Sequence, residues 1–165
     1  MIRAILHADK EWGIGKKNDL MFSLPEDMKF FRKTTSGKTV VCGENTLASF
    51  PNGNPLKNRT HIVLSPDKNR DDCIMVRSLG EALEKMKQAD GDVFVIGGAS
   101  VYKQMLPYCE EVLVTKVDAV GGAEAFFPNL DEDENFVCVY QSDPIEDNGY
   151  TIRFTTYKNK AVKKL

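Results

Sequence analysis

Paired cysteines are what this chain most plainly lacks. Its four cysteines, Cys42, Cys73, Cys109 and Cys138, stand far apart with no C-x-x-C spacing, which argues against a zinc ribbon or a redox pair. Cys42, Cys73 and Cys138 each sit in an apolar, strand-like run. Free, mostly buried thiols in a reducing cytosol are the expectation. Histidine is scarcer: His7 and His61 are the two present, and neither has ligand spacing to the other or to a cysteine, so no metal is expected. Charge of one sign is also missing. A formal net charge of −2 provides no basic field for nucleic acid or an anionic membrane. No apolar run approaches the ~20 residues of a membrane helix, and the opening MIRAILHADK is too polar for a secretory signal. There is no repeat, low-complexity tract or linker. What remains is a cytoplasmic, monomeric protein of one domain over residues 1–165, with Lys158–Leu165 a basic tail expected to fray.

Runs rich in Val, Ile, Phe and Thr and bounded by Gly, Pro, Asn or Asp predict strands. They lie at Ile2–Asp9, Thr39–Gly43, His61–Ser65, Cys73–Arg77, Asp92–Gly97, Glu111–Val117, Asn135–Gln141 and Thr151–Tyr157. Continuous apolar runs at Ile62–Leu64 and Val93–Ile96 suit central strands covered on both faces. Thr151–Tyr157 alternates in part, as an edge or antiparallel strand does. Helices are predicted at Pro25–Thr34, Glu44–Phe50, Leu79–Ala89 and Ser100–Leu106. Pro25 suits a first helical position, and Ser78 with Glu81 forms a capping box ahead of the stripe Leu79, Leu83 and Met86. Strands alternating with helices predict a mostly parallel α/β sheet. The last two strands, with no helix between them, predict a hairpin.

Four segments could carry chemistry. Ile96-Gly97-Gly98-Ala99-Ser100 ends a strand and opens a helix. Its glycines and free helix N–H groups suit a phosphate, and an ordinary tight turn explains them equally well. Gly43-Glu44-Asn45-Thr46 repeats the arrangement, and two such turns at strand carboxyl ends favour a nucleotide-like ligand. Neither is a G-x-G-x-x-G fingerprint. Trp12–Leu20 is a glycine-bearing polar stretch that reads as a lid or a plain connection. Asp27, near a helix start beside Met28, Phe31 and Arg32, is by pattern alone a carboxylate answering the helix dipole.

Taken in series the segments resemble bacterial dihydrofolate reductase over nearly the whole chain. The matching pieces are Ile14-Gly15 with Asn18, Leu24-Pro25-x-Asp27 with Phe31, Val40–Gly43 with Thr46, and Pro55-Leu56-x-Asn58-Arg59-Thr60. They continue with Val95–Ala99 and Val101-Tyr102, Leu106-Pro107, Thr115-x-Val117-Asp118 and Phe126-Phe127-Pro128. The resemblance implies a single-domain, eight-stranded, mostly parallel sheet with four helices and a C-terminal hairpin. It implies reduction of 7,8-dihydrofolate with NADPH, and antifolates as inhibitors. By the same resemblance Asp27, oriented by Thr115, holds the pterin, with Phe22 and Leu20 beside the reacting atoms. Ile5, Met28, Phe31, Arg32, Phe50, Leu56, Ile96 and Tyr102 line the substrate pocket, and Arg59 takes the glutamate carboxylate. The cofactor falls to His7, Ile14, Gly15, Asn18, Leu20, Gly43, Glu44, Asn45, Thr46, Leu64, Ser65, Arg77, Ile96–Tyr102 and Gln104; within that last stretch Gly97, Gly98, Ala99, Ser100 and Val101 form the phosphate turn.

Some positions depart from the family pattern. Glu44 and Ser100 stand where arginines are usual, which implies weaker discrimination between NADPH and NADH. Phe22 replaces a usual tryptophan and His7 a usual alanine, and Ala125 lacks a usual hydroxyl, so weaker binding of diaminopyrimidine antifolates is expected. The alternative is a non-catalytic homologue that binds pterin or nucleotide.

Overall fold

The computed structural model describes residues 1–17 and 19–165; Asn18 lies outside the described residues. β-branched runs and amphipathic segments alternate as β1 (Ile2–Ala8), β2 (Gly13–Gly15), α1 (Pro25–Thr35), β3 (Thr39–Gly43), α2 (Glu44–Ser49), β4 (Thr60–Leu64) and β5 (Ile74–Val76). They continue as α3 (Leu79–Lys87), β6 (Val93–Gly97), α4 (Ala99–Met105), β7 (Glu111–Val117), β8 (Ala125–Phe126), β9 (Phe136–Gln141), β10 (Ile145–Asp147) and β11 (Tyr150–Asn159). Among the described residues the main sheet has nine strands, in the order β11-β7-β1-β6-β3-β4-β5, with β9 and β10 both paired to the outer edge of β11. Because those two share one position, the sheet is eight strands wide, as expected. Strands β1 and β3 to β7 run parallel to one another, while β11 is antiparallel to β7 and, with β9 and β10, forms the antiparallel end.

Side chains alternate between the two faces of a strand, and that alternation separates the helices. Ala4, Leu6 and Ala8 join Val41, Val95 and Val114 against Ala82 and Met86 of α3 and Val101 and Met105 of α4. Ile5, with Val40 and Phe94, instead meets Phe30 and Phe31 of α1. Leu47 of α2 packs on Cys42 and Val63. His7 has the parity of Ile5, so it faces α1.

Several details differ from the sequence reading. Strand β11 is antiparallel but interior, with β7 on one side and β9 and β10 on the other. The capping box is displaced by one residue: Ser78 Oγ accepts the Glu81 N–H at 3.2 Å, whereas the Glu81 carboxylate accepts the N–H of Arg77 at 3.1 Å. Cys138 is exposed rather than buried, because nothing covers β9. Cys42 and Cys109 are buried, and burial pushes both thiols up to about 12. The expected basic tail starts later than Lys158. Lys158 and Asn159 belong to β11, and the Lys163 N–H donates to the Pro107 carbonyl at 2.8 Å. No helix among the described residues is long and apolar enough to cross a membrane.

Candidate active site

At the carboxyl ends of β1 and β6, where open parallel sheets place their ligands, lies a cavity of about 750 Å³. Helix α1 forms one wall with Asp27, Met28, Phe31 and Arg32. The opposite end is the β6–α4 turn, Ile96 to Tyr102, with Asn45, Thr46, Phe50 and Leu56 along the side. Ile14, Gly15, Leu20 and Phe22 close the third side, together with Lys16, Lys17, Asp19, Glu124 and Ala125, which the sequence reading did not name.

Asp27 is the polar centre of the α1 wall, with its side chain 14% exposed. Thr115 Oγ1 donates to Asp27 Oδ1 at 2.6 Å. His7 Nδ1 stands 3.3 Å from Asp27 Oδ2. Thr115 itself is buried beneath the carboxylate and does not line the cavity. The turn that carries Asp27 is held by a second carboxylate. Helix α1 has no side-chain cap of its own, since Leu24 is its N-cap and Pro25 follows. The N–H groups of Glu26 and Asp27 donate instead to Asp147 in β10, each at 3.1 Å. That is what an N-cap aspartate does for its own helix, supplied here from the C-terminal hairpin.

The lid segment is less free than its composition implies. Residues Gly13–Gly15 pair with Ala125–Phe126 as a small second sheet, and the Glu124 carboxylate accepts the Lys17 N–H at 2.6 Å. Asp9 holds the base of the loop: its oxygens accept the N–H groups of Glu11, Gly13 and Gly121 at 2.8–3.0 Å. Within this segment Phe22 is buried, whereas Leu20 is exposed at the rim.

The glycine turn at β6 has room that a side chain would fill. A Cβ on Gly97 would lie 3.4 Å from Thr46 Oγ1 and from Tyr102, on a backbone with φ +123°, and one on Gly98 would lie 3.5 Å from Thr46 Oγ1. A Cβ on Gly43 would meet Val101 at 3.3 Å. The glycines therefore let this turn pack closely on Thr46, Tyr102 and Val101, and Gly97 takes a φ that side chains rarely adopt. Tyr102 braces the turn from below, its hydroxyl donating to the Ile5 carbonyl at 2.7 Å, and burial pushes its phenol up. On the side wall the Leu56 N–H donates to His61 Nε2 at 3.2 Å. Burial lowers His61, which keeps that nitrogen an acceptor.

Arrangement and sequence together decide the family. A model of the dihydrofolate reductase family matches residues 1–159. The chain belongs to the dihydrofolate reductase family. It is 35% identical over 167 residues to the dihydrofolate reductase of Bacillus subtilis strain 168, covering 99% of this chain and 98% of that one. It is 33% identical over 160 residues to that of Staphylococcus haemolyticus, covering 95% of each. Among solved structures it is similar to a dihydrofolate reductase from Enterococcus faecalis complexed with NADP(H) and RAB-propyl, at TM-score 0.85 and 30% identity, with 96% of each chain covered.

Of the residues that the family resemblance nominates, most of those above meet in one cavity. Others do not line it. Glu44 accepts the Ser65 hydroxyl at 2.8 Å, and Lys68 Nζ is 3.8 Å from the same oxygen. Arg77 is turned to the carbonyls of Ser65 and Lys68 and to Asn69. Gln104 bonds back to Ser100, while Gly43 and Leu64 sit behind the lining. Arg59 donates to Thr35 Oγ1 and to the carbonyls of Lys57 and Arg32. Burial and the neighbouring Arg32 lower it. Asn18 lies outside the described residues.

Proposed function

We propose that this chain reduces 7,8-dihydrofolate to 5,6,7,8-tetrahydrofolate with NADPH, as a single-domain cytosolic enzyme working as a monomer. The observation that carries the reading is Asp27: a largely buried carboxylate facing the cavity, on a helix turn whose N–H groups donate to Asp147. A carboxylate has about four acceptor positions. Thr115 and His7 use two, which leaves two for the adjacent N3–H and 2-amino donors of a pterin. A charge-assisted pair in an apolar pocket is strong and directional. Asp27 so placed orients the ring and stabilises charge on it, while the proton for N5 arrives through water.

The turn at Gly97-Gly98 suits NADPH because both glycines line the cavity and present backbone to it at the start of α4, while Gly43 lets β3 pack closely against Val101 behind them. With Asn45, Thr46 and the Ala99–Tyr102 turn, Gly97 and Gly98 would hold NADPH beside the pterin pocket. Bound there, NADPH supplies the hydride that goes to C6. Ile5, Met28, Phe31, Phe50, Leu56 and Ile96 give the pterin and benzoyl groups an apolar wall. Arg32 and Arg59 stand together at one end, and the neighbouring positive charges suit the carboxylates of the glutamate tail. Ile14, Gly15, Leu20, Phe22 and Leu24 close the third side and keep water from the reacting atoms.

Glu44 adds a refinement. With Ser65 and Lys68 as its partners, it puts a carboxylate beside the β3–α2 turn, which weakens the preference for a phosphorylated ribose. We expect kcat/KM for NADPH to exceed that for NADH by less than roughly a thousandfold; a larger preference refutes this point alone. The main reading is tested by loss of NADPH absorbance in the presence of dihydrofolate, with Asp27→Ala as the control. No dihydrofolate-dependent loss with the unaltered chain overturns it.

A further inference from the structure

The family resemblance nominates His7 for the cofactor, yet its side chain is engaged with Asp27 at 3.3 Å. The residue is 7% exposed and lines the cavity. In the parallel pairing of β1 with β7, His7 is the register partner of Thr115. Parallel neighbours in register present their side chains side by side on one face. The two residues therefore reach the carboxylate as a pair, Thr115 at Oδ1 and His7 at Oδ2. Because an ionised carboxylate only accepts, the His7 contact requires the proton on Nδ1. The other ring nitrogen, Nε2, is buried without a hydrogen-bond partner among the described residues. The ring also stands 6.0 Å from that of Phe22, which has no polar atom of its own.

We propose that His7 is a positioning residue for Asp27: with Thr115 it forms a two-point clamp that fixes the carboxylate plane and leaves its remaining acceptor positions aimed at the substrate. This rests on the reading of Asp27 as the pterin-binding carboxylate. A clamp on one oxygen lets the carboxylate swing about that contact, and a clamp on both does not. Orientation of this kind is felt in turnover even when the group that supplies it never touches the substrate.

Other charged groups facing this pair differ in how firmly they are held. On α1 these are Arg32, which lines the cavity, and the exposed Glu26 and Lys29. Asp147 reaches the same turn from β10 and is occupied by backbone N–H groups. Tyr102 approaches from α4 with its hydroxyl committed to Ile5, and Asp9, just past the end of β1, is held by three backbone N–H groups. Lys16, Lys17, Asp19 and Glu124 stand across the cavity. Replacing His7 leaves all of them in place, and both variants below lack the imidazole's own ionisation, so a difference between their pH profiles reports on the donated hydrogen bond.

The test compares His7→Leu, which fills the space without a donor, with His7→Asn, whose amide N–H can occupy the place of Nδ1–H. For His7→Leu we expect kcat/KM for dihydrofolate to fall by roughly tenfold or more, and the acid limb of its pH profile to move toward neutrality. His7→Asn should recover most of the loss. The dissociation constant of NADPH, measured without substrate, should change by less than about twofold in both. The proposal is overturned if His7→Leu keeps the unaltered rate and pH profile, if Asn is no better than Leu, or if NADPH affinity is what falls. The unaltered chain is assayed alongside. Its failure to turn over dihydrofolate removes the functional reading, whereas normal turnover in the Leu variant removes only the clamp.

Discussion

Two aspartates meet at the first turn of α1, and they are held in contrasting ways. Asp147 is 3% exposed and takes backbone N–H groups of that turn. Asp27 lies on the turn itself, keeps partial exposure to the cavity and takes side-chain donors from β1 and β7. A carboxylate buried against backbone donors is part of the scaffold, because a ligand has no path to it. One that is held by side chains and still faces a cavity keeps acceptor positions within a ligand's reach. Asp9, 5% exposed and held by three N–H groups at the base of the loop, falls with Asp147. Identical chemistry thus separates into structure and site according to what occupies the oxygens.

That contrast can be broken by substitution. Asp27→Asn keeps the shape and removes the charge. We expect kcat/KM for dihydrofolate to fall by about three-hundredfold or more, about 3.4 kcal/mol, with Tm within about 3 °C of the unaltered protein. A large fall in Tm would move Asp27 into the scaffold group. Asp9→Ala should do the reverse. With three N–H groups unpaired, urea unfolding should show a loss of about 2.5 kcal/mol, and kcat a smaller change than in Asp27→Asn. Asp147→Ala uncaps α1 from a distance and should cost about 1.5 kcal/mol of stability. Its kcat/KM should drop by less than about tenfold, since the side chains that grip Asp27 remain. The smallest effect marks the baseline. Lys29→Ala removes an exposed pair with Glu26 on the same turn and should shift stability by less than about 0.5 kcal/mol. A Lys29 effect equal to that of Asp147 would mean that any charge near the turn matters, and the distinction would be lost.

The fold was legible where signals are local. Continuous apolar runs identified β4 and β6 as central, and Pro25 marked the start of α1, because burial on both faces and a missing N–H each leave a mark within a few residues. The β2–β8 ladder left none: strands of three and two residues are too short for a period. Asn148 and Gly149, with φ 51° and 85°, form a tight hairpin turn that the dipeptide itself could have signalled. No such mark tells where Asp147 goes. Asp27 could be nominated only through the family likeness, since its partners lie 20 and 88 positions along the chain. Register supplies them: His7 meets Thr115 only because β7 pairs with β1. Arg59 shows the opposite failure. The residue was readable, but not its contacts with three groups of the neighbouring backbone and side chains.

The cap on α1 comes from 121 residues downstream of Glu26. A ribosome releases the chain from its N-terminus, so the segment carrying Asp27 waits through most of synthesis for the side chain that completes it. A nascent chain that stops short of the final hairpin already carries Asp27, but not yet the carboxylate that accepts the N–H groups of its turn.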